Sequence, residues 1–362
     1  MRLTHLELTN HRNIAHAELN PDPHLTVLCG PNGQGKTNLL EAVWLLTGGK
    51  SFRGAKDAEL IRENAGYAVA EGETQGFGKE SRIRVFVGGQ PGARKARTVR
   101  VNGVDYGRAA NAAGTFTAVV FDPGHLSLVK GSPEGRRRFL DAALCQLHPG
   151  YVTLLRQYSR LVTQKNALLK SYWQTPDANG LLDVFDEKLA ESGAAVSAKR
   201  QEYLALIEPE ITGTYRDIAS GSETLAIQYE PSFEPEKGLA PVLRESRARD
   251  IAAGFCTAGP HREDFSISID GRAAKVFASQ GQQRSAVLSL KLAEAAGAQK
   301  ITGEHPVMLL DDVLSELDET RQSYLLSRME HRQTIVTACD PDLFRRTSGR
   351  VYRMEGGILH AL

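Results

Sequence analysis

The run Gly30-Pro31-Asn32-Gly33-Gln34-Gly35-Lys36-Thr37 sets glycines, a lysine and a hydroxyl at the spacing G-x-x-x-x-G-K-[ST]. Glycines let a backbone wrap closely enough for successive N–H groups to face one anion, and a helix start adds its partial positive charge. The whole run would cradle nucleotide phosphates, with Lys36 reaching the β- and γ-phosphates and Thr37 offering its hydroxyl to Mg²⁺. An ordinary glycine-rich turn is the competing reading, and the Lys-Thr pair weighs against it. Far downstream, Val307-Met308-Leu309-Leu310 is an apolar run ending in Asp311-Asp312. At the end of a buried strand Asp311 would hold Mg²⁺ through water, and Asp312 would orient or polarise the attacking water. Between these stretches lies Ser279-Gln280-Gly281-Gln282-Gln283, ahead of a helical segment. A hydroxyl and bare N–H groups at a helix start suit a second γ-phosphate contact, or simply an N-cap.

These side chains need elements to hold them. Leu25 to Cys29 reads as the strand entering the loop and Asn38 to Leu46 as the helix leaving it. Leu3 to Leu8 and His16 to Leu19 read as strands paired near that strand, with Asn10 to Asn13 as their turn. Residues 66 to 105 alternate in short runs, an antiparallel meander with Asn102-Gly103 as a hairpin turn. Thr117 to Phe121, Val307 to Leu310 and Thr334 to Thr337 are continuous apolar strands of a central sheet. From residue 133 the texture turns helical: Leu154, Tyr158, Leu161, Leu168 and Tyr172 mark one helix face, and Phe185, Leu189, Val196, Tyr203 and Ile207 mark a returning one. A helical hairpin standing off the sheet follows, unless those helices pack on the main core, which amphipathic spacing alone does not decide. The fold class is α/β: a phosphate-loop ATPase lobe from residues 1–125 and 245–362, with a mixed central sheet and an antiparallel meander. Residues 126–244 form an inserted, mainly helical lobe.

The bulk composition narrows the class. With 362 residues, 41% hydrophobic and 24% charged, the chain has room for a sizeable core and reads as soluble and globular. A formal net charge of +1 requires any nucleic-acid contact to come from a local basic face. The four cysteines are scattered and form no C-x-x-C pair, which suits reduced thiols in a cytoplasm and argues against a zinc site. No apolar run approaches the roughly 18 residues of a membrane span.

Ser279 to Gln283 resembles the signature motif of ATP-binding-cassette ATPases, and Ser315-Glu316-Leu317-Asp318 resembles their D-loop. The long separation between Lys36 and Asp311 implies an insertion, helical in the SMC-like DNA-repair branch. Leu8 to Asn13, Gly49 to Arg53, Lys130 to Asp141 and Gly259 to Asp264 narrow the resemblance to the RecF family, over nearly the whole chain. That family usually has Phe where this chain has His11. Cassette ATPases also place a switch His after the strand that here runs into Thr337-Ala338-Cys339-Asp340, leaving Thr337 as the candidate for that role.

The resemblance implies that ATP at Lys36 of one subunit is capped by Ser279, Gly281 and Gln282 of another, in an ATP-dependent homodimer with Mg²⁺ at Thr37 and Asp311. It implies adenine or ribose contact for Arg12, which otherwise reads as a turn residue. It also implies a cytoplasmic, weak DNA-dependent ATPase acting in DNA repair. Such a clamp would hold double-stranded DNA near single-strand/double-strand junctions and help load RecA with RecO and RecR. Arg136, Arg137, Arg138, Arg156, Arg160 and Lys165 would line a duplex or form a solvated face. Arg262 would pair with Glu263 or Asp264. A transporter subunit would need a short insertion and a membrane partner, and a small-molecule kinase would have no use for Ser279-Gln280-Gly281.

Overall fold

The computed structural model describes residues 1–89, 96–339 and 349–362. Strands β1 (Arg2–His11) and β2 (Ile14–Leu19) form a hairpin, β3 (Leu25–Cys29) enters the glycine loop and α1 (Lys36–Leu45) leaves it. The meander is β4 (Ala68–Gly76), β5 (Lys79–Gly88), β6 (Ala96–Val101) and β7 (Val104–Arg108). After β8 (Ala118–Phe121) come α2 (Ser127–Lys130), α3 (Pro133–Leu147), α4 (Pro149–Lys170), α5 (Ala178–Ile218), β9 (Leu225–Glu230) and α6 (Leu239–Ala253). Strands β10 (Asp264–Ile269) and β11 (Arg272–Ala273), with α7 (Ala274–Phe277), lead into α8 (Gln280–Thr302). The chain closes with β12 (Val307–Leu310), α9 (Glu319–Ser327), β13 (Thr334–Ala338), β14 (Arg350–Glu355) and β15 (Ile358–Ala361).

The central sheet has the order β15-β14-β3-β13-β12-β8, parallel throughout except for the antiparallel edge strand β15. Every residue of β8, β12 and β13 is buried, as their unbroken apolar runs require of strands covered on both faces. In parallel register, Leu310 lies beside Val336 and Ala338 beside Cys29. The residues that follow β3, β12 and β13 therefore emerge at one edge of the sheet, the edge where open α/β sheets bind ligands.

Strands β1 and β2, expected as a pair near the loop strand, do pair with each other, in a separate antiparallel sheet of order β2-β1-β4-β5-β6-β7. The reason is visible in β1, whose buried and open positions interleave as a half-solvated antiparallel strand requires. Helix α1 lies between the two sheets: Leu39, Leu40 and Val43 share one buried cluster with Leu3, Leu6 and Leu8 of one sheet and Val120, Leu309 and Ile335 of the other. The hairpin turn forms as expected, with Asn102 at φ 51° and Gly103 at φ 82°.

Helices α4 and α5 make the expected antiparallel hairpin, but most of it does not stand off the sheet. Tyr158 of α4 and Leu189, Val196, Tyr203 and Ile207 of α5 share a buried cluster with Val119, Phe121 and Met308 of the central sheet. Helix α8 mediates: Gly297 leaves room for Ile207, whose Cγ2 would lie 2.5 Å from a β-carbon there. Only the hairpin tip, with Leu168, Leu169, Ala178 and Leu182, forms a small cluster of its own. Residue 245 falls inside α6, and β9 pairs antiparallel with β10 across that position. Among the described residues no helix is long and apolar enough to cross a membrane.

Candidate nucleotide site

Between β3 and α1 the backbone takes φ values of 139°, 79° and 117° at Gly30, Gly33 and Gly35, a region that suits glycine. At Gly30 a β-carbon would also lie 2.4 Å from the Met354 carbonyl oxygen. The loop is propped from outside: Gln34 O accepts from Asn13 Nδ2 (3.1 Å) and Gly357 N (3.0 Å), and Gln34 Oε1 accepts from Gly356 N (2.6 Å). Helix α1 starts with no side-chain cap and no acid in its first turn. Its first N–H groups are thus left for an anion. Lys36 is buried, its ammonium donating to the Gly30 and Pro31 carbonyls of its own loop.

The acidic pair meets this loop directly. Thr37 Oγ1 donates to Asp311 Oδ1 at 2.8 Å, and Thr337 Oγ1 donates to the same oxygen at 2.9 Å. Asp311 Oδ2 has no protein partner among the described residues. Burial pushes the Asp311 carboxyl above its usual range, against those two hydrogen bonds. Asp312 takes φ 51° and donates its N–H to Thr337 Oγ1 at 2.8 Å. Among the described residues no group of three His, Cys, Asp or Glu side chains is arranged to hold a metal. One hydroxyl and one carboxylate with a free oxygen instead fit Mg²⁺ delivered on phosphates, which keeps most of its water and takes few protein ligands.

Behind the loop lies a polar centre that motif spacing does not reveal. Glu41 has no exposed surface and accepts from Arg12 Nε at 2.9 Å, Arg12 Nη2 at 3.1 Å and the Ser51 hydroxyl. Burial works to raise its pKa, but the Arg12 and Ser51 bonds outweigh it and hold the carboxyl below its usual range. Arg12, at φ 55° in the β1–β2 turn, is thus bound to α1 in this structure. The segment Gly49 to Arg53 acquires a place as well: Trp44 Nε1 donates to Lys50 O (2.7 Å), Arg97 Nη1 to Gly49 O (2.6 Å) and Arg53 Nη1 to Asn38 Oδ1 (2.9 Å). An acid inside the apolar stretch Leu39 to Leu46 was the signal in the sequence that could have pointed here.

Ser279 caps α8: its side chain accepts from Gln282 N (3.2 Å), and Gln282 Oε1 accepts from Ser279 N (2.8 Å). Ser279 is exposed, Gly281 and Gln282 are half-buried, and Gln282 Nε2 also donates to Glu223. No hydrogen bond joins this segment to the glycine loop among the described residues. The segment Ser315 to Asp318 is tied to α8 by Arg284 to Glu316 (2.6 Å), and Arg321 bridges Asp318 and Ser285. Asp340 lies outside the described residues.

The basic residues divide. Arg136 is 5% exposed, forks onto Asp264 at 2.7 Å twice and donates to the Leu128 and Gly131 carbonyls, so it is a structural ion pair and not a phosphate contact. Lys165 is 0% exposed between Asp186 (2.8 Å) and Asp250 (3.0 Å), which removes it from any duplex-facing surface too. Arg137 is half-buried and bound to the Glu263 carbonyl. Arg138, Arg156 and Arg160 are exposed. Arg262 pairs with neither neighbouring acid; it donates to Cys256 O and lies 4.9 Å over the Phe255 ring.

Comparison with known proteins adds the lineage of this arrangement. Residues 2–357 match the family model for the RecF/RecN/SMC N terminal domain. The DNA replication and repair protein RecF of Ruminiclostridium cellulolyticum is 34% identical over the full length of both chains, and that of Halalkalibacterium halodurans is 36% identical over 99% of each. Among solved structures, the recombination mediator protein RecF-ATP of the RecFOR pathway superposes with a TM-score of 0.91 at 34% identity, covering 99% of this chain and 97% of that one. The Smc head bound to the C-winged helix domain of ScpA shares the fold, with a TM-score of 0.55 at 16% identity.

Proposed function

The chain belongs to the RecF/RecN/SMC family, and from that premise we propose that it is an ATP-dependent DNA-binding clamp of recombinational repair. It binds ATP in the loop Gly30 to Thr37, dimerises head to tail so that Ser279 of one copy closes over Lys36 of the other, and releases by slow hydrolysis. It acts on double-stranded and gapped DNA, near junctions with single strands, and works with RecO and RecR in loading RecA. When bound, Mg²⁺ would neutralise phosphate charge, held by Thr37 and through water by Asp311. Lys36 leaves its own carbonyls for the phosphates, and Asp312 orients the attacking water.

The observation that supports this reading is the Thr37 to Asp311 contact at 2.8 Å, beside an uncapped helix start. The exposed Ser279, with no hydrogen bond to the glycine loop of its own chain among the described residues, suits closure by a second copy. Sedimentation with ATP and Mg²⁺ tests it: the wild type is expected to dimerise, Lys36→Ala to stay monomeric, and Ser279→Arg to bind ATP without dimerising. A wild type that stays monomeric with saturating ATP overturns the composite site. The ATPase rate should rise with the square of protein concentration and be stimulated by duplex DNA. DNA affinity should fall with salt on a log–log plot, and a slope near zero removes the phosphate contacts.

A further inference from the structure

Strand β13 lies between β3 and β12, so its end sits between the phosphate loop and the acidic pair. Thr337 there is 1% exposed. Its one hydroxyl hydrogen goes to Asp311 Oδ1 at 2.9 Å, and its oxygen accepts the Asp312 N–H at 2.8 Å. Two consequences follow from this pair of hydrogen bonds. Asp311 Oδ1 is fixed from both sides, by Thr37 and Thr337, and Oδ2 has no hydrogen-bond donor among the described residues. Asp312 sits at φ 51°, a left-handed conformation that Asp adopts more readily than most non-glycine residues, and Thr337 holds its N–H there.

We propose that Thr337 is a positioning residue that sets the Asp311 carboxylate and the Asp312 backbone relative to each other for ATP hydrolysis. The inference rests on the reading that these two acids serve that reaction. The hydroxyl is committed to the acids, so Thr337 is not itself a γ-phosphate contact; it takes only the orienting part of a switch residue's work. Its loss should leave the phosphate loop intact and misplace the groups beyond it.

The test compares Thr337→Val, which keeps shape and removes the hydroxyl, with Thr337→Ser, which keeps the hydroxyl. Three quantities are read: ATP affinity by equilibrium binding, Mn²⁺ affinity in the ATP complex by electron paramagnetic resonance, and the single-turnover hydrolysis rate of the dimer. Thr337→Val is expected to bind ATP within about threefold of wild type, hydrolyse it about 10- to 100-fold more slowly and bind Mn²⁺ several-fold more weakly. Thr337→Ser should recover most of both losses. If the valine variant does not fold, Thr337→Ala takes its place with the same expectations. Wild-type rate and Mn²⁺ affinity in the variant lacking the hydroxyl overturn the inference, as does a serine variant as defective as the valine one. A wild type that binds ATP but never hydrolyses it overturns the ATPase reading, which is a different result.

Discussion

A carboxylate with no exposed surface survives in an apolar helix only if donors surround it, and Glu41 has Arg12 and Ser51. His11 sits in the same centre with its Nε2 3.8 Å from Glu41, and that nitrogen has no hydrogen-bond partner among the described residues. Burial pushes its pKa down to about 4 from 6.5, with Glu41 opposing and Arg12 assisting. The unfolded chain therefore binds this proton more readily than the folded one. Stability contributed by neutral His11 is complete above pH 6.5 and is lost as pH falls to about 4, a loss approaching about 3 kcal/mol. Replacing His11 by Phe removes that titration, so the variant should gain stability relative to wild type between pH 7 and pH 4.5. Denaturant midpoints at the two pH values check this, and an unchanged difference contradicts it. Gly30 offers a second test at this scale. A β-carbon there meets the Met354 carbonyl while φ is 139°, so Gly30→Ala should destabilise by about 2 kcal/mol or more. At Gly33 nothing lies within 4 Å, and Gly33→Ala should cost less, by thermal denaturation of both.

Among the elements, α3 and α4 carry the arginines whose spacing suggested a duplex-binding face, and the structure gives them opposite tasks. Arg136 anchors the first turn of α3 to β10 through Asp264, so Arg136→Ala should cost about 3–5 kcal/mol by leaving a carboxylate part-buried and unpaired. Arg156→Ala and Arg160→Ala, on the open face of α4, should leave stability within about 0.5 kcal/mol. Each should lower the salt dependence of DNA binding by about one unit of slope if it meets a phosphate. Chemical denaturation and a salt titration of DNA affinity separate the two classes. The contrast also marks what the sequence could reveal. The glycine loop, the apolar strand before Asp311 and the Asn102-Gly103 turn are local, and their residue types suffice to place them. Arg136 and Lys165 owe their roles to Asp264, Asp186 and Asp250, which only tertiary packing brings near. A run of cations does not say which of its members faces inward. Strands β1 and β2 were legible as strands, while their sheet depended on which partner covers each face.

In the whole molecule, α8 joins the two ends of the proposed mechanism. Ser279 caps its start, most of its length is buried, and α5 packs along it with Ile207 and Tyr203 against Gly297. Because the helical hairpin and the central sheet share one cluster, moving the hairpin means moving the signature segment with it. A bound duplex on the hairpin would therefore act on Ser279 through packed side chains, without a hinge between separate bodies. The same continuity predicts one cooperative unfolding unit. The chain has two tryptophans: Trp44, buried in α1 between the sheets, and Trp173, exposed at the hairpin tip. In a Trp173→Phe background, fluorescence reports Trp44 and the ATPase core alone, while far-ultraviolet circular dichroism is weighted toward the long helices. Ile207→Ala, which opens a cavity between α5 and α8, should cost about 2–5 kcal/mol. Both signals should shift together by that amount, because the cluster holding Ile207 and the one holding Trp44 are built on alternate residues of the same central strands. A hairpin that unfolds on its own would instead shift the dichroism curve and leave the Trp44 curve where it was, and would break the proposed route from DNA to Ser279.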